Sequence, residues 1–295
     1  MPNEVLTTAE TNLIKNEDLA TVRMIDFVSR FGYSTKKLME LLGVTRIIPK
    51  QAGTALKRHR VKGSLNTQQV GEGEVIPLSK YETEDVPIGE ITLKKWRKAT
   101  SAEAIIDKGY NQAVGETTDK MLQDVQRGIR ADLIASLTIA SQPTASGAGL
   151  QAALADGWGK LQNIYEDDTI ESVYFVNPED VADYLGGATI TVQTAFGFSY
   201  VENFLGLGTV IMNSQITKGT YKATAKENMV AYYVPADESE LAKVFDFTTD
   251  ETGLIGIHEY ADYERMTADD TVISGIRVFA DNESGVVAGT ISPLA

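Results

Sequence analysis

The sequence predicts an α+β chain, and three observations carry that reading. Two amphipathic helical stretches open it, a long polar segment with strand-like alternation follows from Ala52 to Thr100, and a helix with an apolar stripe then leads into a mixed α/β stretch and a β-rich end.

The elements follow in chain order. Between Glu17 and Phe31 the run LATVRMIDFVSRF sets Leu19, Val22, Ile25 or Asp26, and Ser29 on one helical face, with Met24, Phe27, Val28 and Phe31 beside it. Gly32 is expected to end this helix. Ser34 then caps a second short one, TKKLMELLG, whose Leu38, Leu41 and Leu42 share a face before Gly43 closes it. Next, ALKRHRVKG and EITLKKWRKAT alternate like strands around a stretch rich in turn residues, which predicts two antiparallel strands joined by a long excursion. The strand faces are charged. A hairpin with so little apolar content cannot cover itself, so its expected partner is another copy of the chain.

Thr100 and Glu103 are spaced as a capping box, and Ala102, Ile105, Ile106, Gly109 and Ala113 continue a helical pattern. Gly109 and Gly115 are expected to interrupt it. Met121, Leu122, Val125, Ile129, Leu133, Ile134 and Leu137 extend the stripe to about Ser141, a rod of about 39 Å from Glu116 at 1.5 Å per residue. Pro143 and the ASGAG run read as the loop that closes it. From Leu150 to about Pro235 come a helix at LQAALADGWGKLQNIY, strands at VYFVN, TVIMN and NMVAYYV, and a helix opened by Pro178. The strand-like runs after Ala242 are expected to pair with one another and pack under the long helix.

Composition narrows the function. The 295 residues, 43% hydrophobic, suffice for one large or two modest domains. With no cysteine there are no disulfides, thiolate metal sites or thiol nucleophiles. No apolar segment reads as a signal peptide or a membrane span, so the chain is expected to be made in the cytoplasm and to cross no membrane. The net charge of -14 is unevenly spread: Lys15 to Gly63 holds eleven Lys and Arg against four acids, 11 - 4 = +7, which leaves -14 - 7 = -21 for the remainder. No aromatic residues alternate with those basic ones to stack bases, so the basic arm is read as lying on acidic neighbours of the same protein.

Little in the chain points to catalysis. Of the two histidines, His59 sits among Lys57, Arg58, Arg60 and Lys62, and His258 lacks the second histidine of a metal-binding HExxH; both read as structural. No nucleophile elbow, phosphate loop or EF-hand spacing occurs. The acid runs Glu166, Asp167, Asp168 and Asp269, Asp270 read as solvated turns rather than a divalent-cation site. No catalytic, cofactor or metal residue is assigned.

In order and spacing, DFVSRFGYSTKKLMELLGVTRIIP, VGEGEVIPLSKYE, TLKKWRKATSAEAI, VYFVNPEDVADYL and ENMVAYYVP together resemble the major capsid proteins of tailed bacteriophages with the Hong Kong 97-type fold. The resemblance covers nearly the whole chain. It implies an N-terminal arm over 1–49, an E-loop hairpin over 50–98, a P-domain with its long spine helix over 99–148 and again 241–295, and an A-domain over 149–240. It further implies self-assembly as pentamers and hexamers into an icosahedral shell. The implied partners are a portal protein and double-stranded DNA held on the inner face without sequence specificity. Because the arm helix begins so soon after Met1, a separate scaffolding protein is also expected. The location implied is the virion, with assembly in the host cytoplasm. No Asn and acid align with Lys57, Lys62 or Lys80, so the covalent crosslinking of some members is not carried over.

The residues expected at contacts between subunits are Lys57, Arg58, Arg60 and Lys62 on the outgoing strand, Glu72 and Glu74 at the turn, and Lys94, Lys95 and Arg97 on the return strand. Two other readings stand beside this one: an encapsulin-type nanocompartment shell, and an α/β enzyme of unknown reaction.

Overall fold

A computed structural model describes residues 16–44, 46–139, 142–166, 170–186, 192–195, 197–237 and 239–293, the side chains of 16–21, 58–61, 195, 239 and 240 excepted. In chain order the elements are α1 (Asn16–Leu42), β1 (Ile47–Pro49), β2 (Ala55–Ser64), β3 (Lys80–Glu90), β4 (Lys94–Ser101), α2 (Ala102–Lys108) and α3 (Glu116–Ser136). Then follow β5 (Thr144–Ala148), α4 (Gly149–Tyr165), β6 (Ser172–Val176), α5 (Pro178–Leu185), β7 (Gln193–Ala195), β8 (Phe198–Val201), β9 (Gly208–Met212), β10 (Thr220–Ala225) and β11 (Met229–Tyr233). The chain ends with α6 (Ser239–Ala242), β12 (Thr248–Thr249), β13 (Ile255–Asp262), β14 (Thr267–Ser274), β15 (Arg277–Ala280) and β16 (Val286–Ser292).

Two compact units divide these elements. One holds the residues up to Tyr33 with Lys94–Leu122 and Pro235–Ser274; the other holds Ser34–Leu93, Gln123–Val234 and the residues from Gly275 on. The first is built on a four-stranded sheet in the order β12-β13-β14-β4, antiparallel throughout. In the second, a seven-stranded mixed sheet runs β5-β16-β10-β6-β9-β8-β7, and a three-stranded sheet runs β1-β11-β15. The helix α4 packs along β5, β16 and β10 of the larger sheet. Between them lies a core that includes Leu154, Leu161, Tyr174, Val210, Tyr221 and Val287. Each Leu or Val so buried contributes about 1.5–3 kcal/mol relative to exposure, which explains why β6, central in the sheet, is apolar at every position but Ser172.

Several expectations are corrected. The arm is one continuous helix, not two, and Gly32 lies inside it. A Cβ at Gly32 would come within 1.9 Å of Asp250 Oδ2, so the glycine marks a close approach within the first unit instead of a helix end. The true end is Gly43, at φ 67°, where the Val44 N–H donates to the Met39 carbonyl at 2.9 Å. The N-cap of α2 is Ser101, whose hydroxyl accepts from the Ala104 N–H at 3.3 Å, while Thr100 is a residue of β4 paired with Ala268. The expected break at Gly109 is present, at φ 80°, and Asn111–Gly115 forms a π-turn that leads into α3.

The rod stops at Ser136, which gives about 32 Å rather than 39. Past its end the backbone tightens, the Leu137 N–H donating to the Ile134 carbonyl at 3.2 Å, while the Ser136 hydroxyl lies 2.7 and 3.0 Å from the Leu133 and Val278 carbonyls and shares its one proton between them. The ASGAG run is not a loop but the strand β5, parallel to β16. Gly147 is needed there because a Cβ would lie 2.3 Å from the backbone nitrogen of Ala153 in α4. The C-terminal strands do not all pair together. β13 and β14 pair with each other, but β15 joins β11 and β16 lies between β5 and β10.

Candidate assembly surface and a buried ionic cluster

The hairpin is made by β2 and β3 in antiparallel register, His59 opposite Asp85 and Arg60 opposite Glu84. Its return strand is therefore Lys80–Glu90. Lys94, Lys95 and Arg97, expected on that return strand, belong instead to β4, which pairs with β14 in the first unit. The second alternating run, EITLKKWRKAT, is not the partner of the first; the acidic run KYETEDVPIGE complements the basic β2 in charge and pairs with it.

That complementarity is visible atom by atom. Lys57 Nζ stands 3.4 Å from Asp85 Oδ2, and Lys62 pairs with Glu84. All four side chains are about half exposed, so each pair contributes about 0–1 kcal/mol and is easily exchanged for another partner. Arg58 and Arg60 are placed by their backbone in β2, and their side chains lie outside the described residues, as does that of His59.

Beyond the paired strands the tip runs from Leu65 to Ser79. Its turn is held by the Glu74 N–H donating to the Gly71 carbonyl at 3.2 Å and by Glu74 Oε2 accepting from the Gly71 N–H at 3.1 Å. Glu74 is thus a turn-fixing residue, and Glu72 is exposed beside it. The tip also carries apolar residues, hidden in the sequence among turn residues. Val75, Ile76 and Leu78 are 91%, 77% and 94% exposed. Three aliphatic side chains almost wholly in water on one narrow loop form an exposed apolar surface.

A second assembly of side chains lies in the first unit, where the sequence suggested only a solvated turn. Asp269 and Asp270 sit in the middle of β14, both wholly buried. Adjacent strand residues point to opposite faces, and so do Arg97 and Lys98 on β4, so two ion pairs form on the two sides of one sheet. On one face the Arg97 guanidinium donates to Asp269 Oδ2 from Nε at 2.7 Å, joined by the hydroxyls of Thr267 and Tyr260 at 2.7 and 3.3 Å. On the other, Lys98 Nζ meets Asp270 Oδ2 at 2.8 Å, and the Thr118 hydroxyl donates to the same oxygen at 2.9 Å.

Glu259 stands directly opposite Asp270 on β13, which brings a second carboxylate to that face. Arg23 of α1 balances it: the guanidinium pairs with Glu259, approaches Asp270 Oδ1 at 4.0 Å and lies 5.1 Å above the Tyr110 ring. The Tyr110 hydroxyl donates to Glu259 at 2.8 Å. A further arm residue, Arg30, pairs with Asp119 at 2.6 Å. Two cations of the basic arm thus find acids in their own chain. The signal was present in the sequence: two adjacent acids inside the strand pattern DDTVIS cannot both face water.

Burial would raise the Asp269 carboxyl, but hydrogen bonds from Thr267 and Arg97 and the guanidinium charge outweigh it and hold the group below its ordinary value. The stability this contributes is present above the unfolded carboxylate value near about 3.9 and is lost as the pH falls through the lower folded value. Urea melts taken from pH 5 downward are expected to lose stability below about pH 4. Asp269→Asn is expected to make that decline shallower; the same decline in both proteins would contradict the assignment.

His258 stacks on Tyr260 at 5.8 Å and edges onto Phe247 at 6.3 Å. Among the described residues no helix is long and apolar enough to cross a membrane.

No family model matches the chain, and neither does any curated protein. Solved structures do match. A virus-like particle from Pyrococcus furiosus superposes with a TM-score of 0.53 at 14% identity, over 93% of this chain and 99% of that one. The holo-SrpI encapsulin complex from Synechococcus elongatus PCC 7942 gives 0.52 at 10%, over 85% and 86%. The mature capsid of bacteriophage PhiM1 gives 0.51 at 8%, over 85% and 86%. At such identities the likeness is one of fold, and it spans most of each chain.

Proposed function

We propose that this chain, which has the Hong Kong 97-type fold, is a shell-building subunit: the major capsid protein of a tailed bacteriophage, assembling as hexamers and pentamers around double-stranded DNA. The observation that carries the reading is the hairpin tip, whose Val75, Ile76 and Leu78 are exposed in the single chain and suited to burial on a neighbour. A heterologous contact of this kind, repeated around a ring, closes capsomers. The same proposal takes the hairpin of β2 and β3 as the E-loop, 149–240 as the A-domain and the sheet bearing Asp269 and Asp270 as part of the P-domain. Its partners are further copies of itself, a scaffolding protein during assembly, a portal protein and the packaged DNA.

The basic strand takes part as an exchangeable clamp. Lys57 and Lys62 trade weak pairs inside the hairpin for acids of a neighbour, and Arg58 and Arg60 add to the same charge. Arg58→Glu with Arg60→Glu is expected to impair assembly while leaving the seven-stranded sheet folded, read by sedimentation alongside circular dichroism. Shells of normal yield from that double variant would count against the clamp.

An encapsulin-type compartment is the second reading, favoured by the likeness to the Synechococcus elongatus encapsulin complex at a TM-score of 0.52. The contents of particles purified from the producing cells separate the two. Nuclease-protected double-stranded DNA supports the capsid reading, and an enclosed enzyme with no DNA replaces it with the compartment.

A further inference from the structure

A concave site in this strongly acidic chain is lined by two arginines and polar side chains. It is a cavity of about 190 Å³ in the second unit, lined by Arg127 and Arg130 of α3, Ser199 of β8, and Asn213, Ser214 and Gln215 after β9. The parallel strands β6 and β9 end there at Val176 and Met212, which places the cavity outside the carboxyl ends of a parallel pair, where open α/β sheets commonly take ligands.

Its construction favours anions. Arg127 and Arg130 are one helical turn apart, so two positive charges are brought to one wall, and among the described residues that line the cavity none is a carboxylate. The Arg130 guanidinium lies 5.5 Å from the Phe198 ring centroid, which holds it in place on an apolar floor. Gly197 gives it room: at φ 72°, a Cβ there would come within 2.2 Å of Arg130 Nη1. Burial, and then the charge of Arg127, lower the affinity of Arg130 for its proton. The polar wall is ordered too: Asn213 is buried, and its Oδ1 accepts from the Gln215 N–H at 3.0 Å while its Nδ2 donates to Gln215 Oε1 at 3.4 Å.

We infer that this cavity binds a phosphate group, with Arg127 and Arg130 on one side and Ser199, Ser214 and the Gln215 amide on the other. Donors from several directions suit a tetrahedral oxyanion better than a planar carboxylate, and guanidinium groups match phosphate oxygens in geometry. The phosphate can be free or part of a nucleic-acid backbone.

Thermal unfolding of the full chain in sodium phosphate, against sodium chloride of equal ionic strength, tests this at neutral pH. A saturable rise of the midpoint in phosphate alone is expected, and Arg127→Gln should raise the half-saturating concentration by about tenfold, the loss of one charge-assisted contact. Arg127 is exposed, so this variant keeps the fold. Ser214→Asp, which supplies a carboxylate from within, should remove the response. A short fluorescent DNA duplex separates the sources. Competition by inorganic phosphate, with both affinities weakened by Arg127→Gln, assigns the site to backbone phosphates; binding of inorganic phosphate without the duplex assigns it to the free ion. Equal midpoints in phosphate and chloride, or equal responses of wild type and Arg127→Gln, would overturn the inference. The measurement is made on the chain whether or not it assembles, so it is independent of the shell reading.

Discussion

Ile76→Asp combined with Leu78→Asp is expected to abolish particle formation and leave the chain folded. Both side chains are largely in water in the single chain, so the substitutions remove no contact that the fold depends on. On a neighbour, each aliphatic side chain would contribute about 1.5–3 kcal/mol by burial, and an unpaired carboxylate in its place would cost more than that gain. Repetition over every subunit of a shell turns a weak local loss into a failure to assemble. Static light scattering reads the loss of particles, and circular dichroism with a thermal melt reads the intact fold. Particles of wild-type size and yield from the double variant would show that the tip is not an assembly contact.

Lys98→Met is expected to destabilise the first unit by about 3 kcal/mol, since it leaves Asp270 buried with its nearest cation removed. The ammonium also donates to Thr118 and Thr117 hydroxyls at 2.6 and 3.0 Å and to the Val114 carbonyl at 3.1 Å, so it ties β4 to the start of α3. Burial, together with the charge of Arg23, lowers the Lys98 ammonium from its ordinary value despite the pull of Asp270, so holding the charge there offsets the gain from pairing. The pair as a whole is thus worth far less than the damage from breaking it. Lys98→Met combined with Asp270→Leu is expected to recover most of the loss. Urea unfolding of the two single variants and the double one measures the coupling. A double variant as unstable as the sum of the singles would contradict the account.

The parts legible in the sequence were those governed by local rules. Pro178 after Asn177 marks the start of α5, Gly43 marks the end of α1, and the VYFVN and TVIMN runs are strands of the large sheet. Misreadings arose where a local signal was overridden by packing at a distance. Gly32 and Gly147 looked like punctuation but are close-approach positions, and a single chain pattern cannot tell a turn glycine from one against which another segment packs. Likewise EITLKKWRKAT matches β2 in alternation, but the acidic β3 matches it in charge and is the strand that pairs with it. The hairpin was legible, but not its strand pairing or its exposed apolar tip. The charges stood out in the sequence, whereas the apolar tip was masked by the turn residues around it.

Electron microscopy of the full chain, expressed with a scaffolding protein from the same genome, tests the central claim most directly. Closed, uniform icosahedral shells with five- and six-fold clusters of subunits are the predicted result. A chain that stays monomeric or dimeric across ionic conditions, with scaffold supplied, would contradict the account.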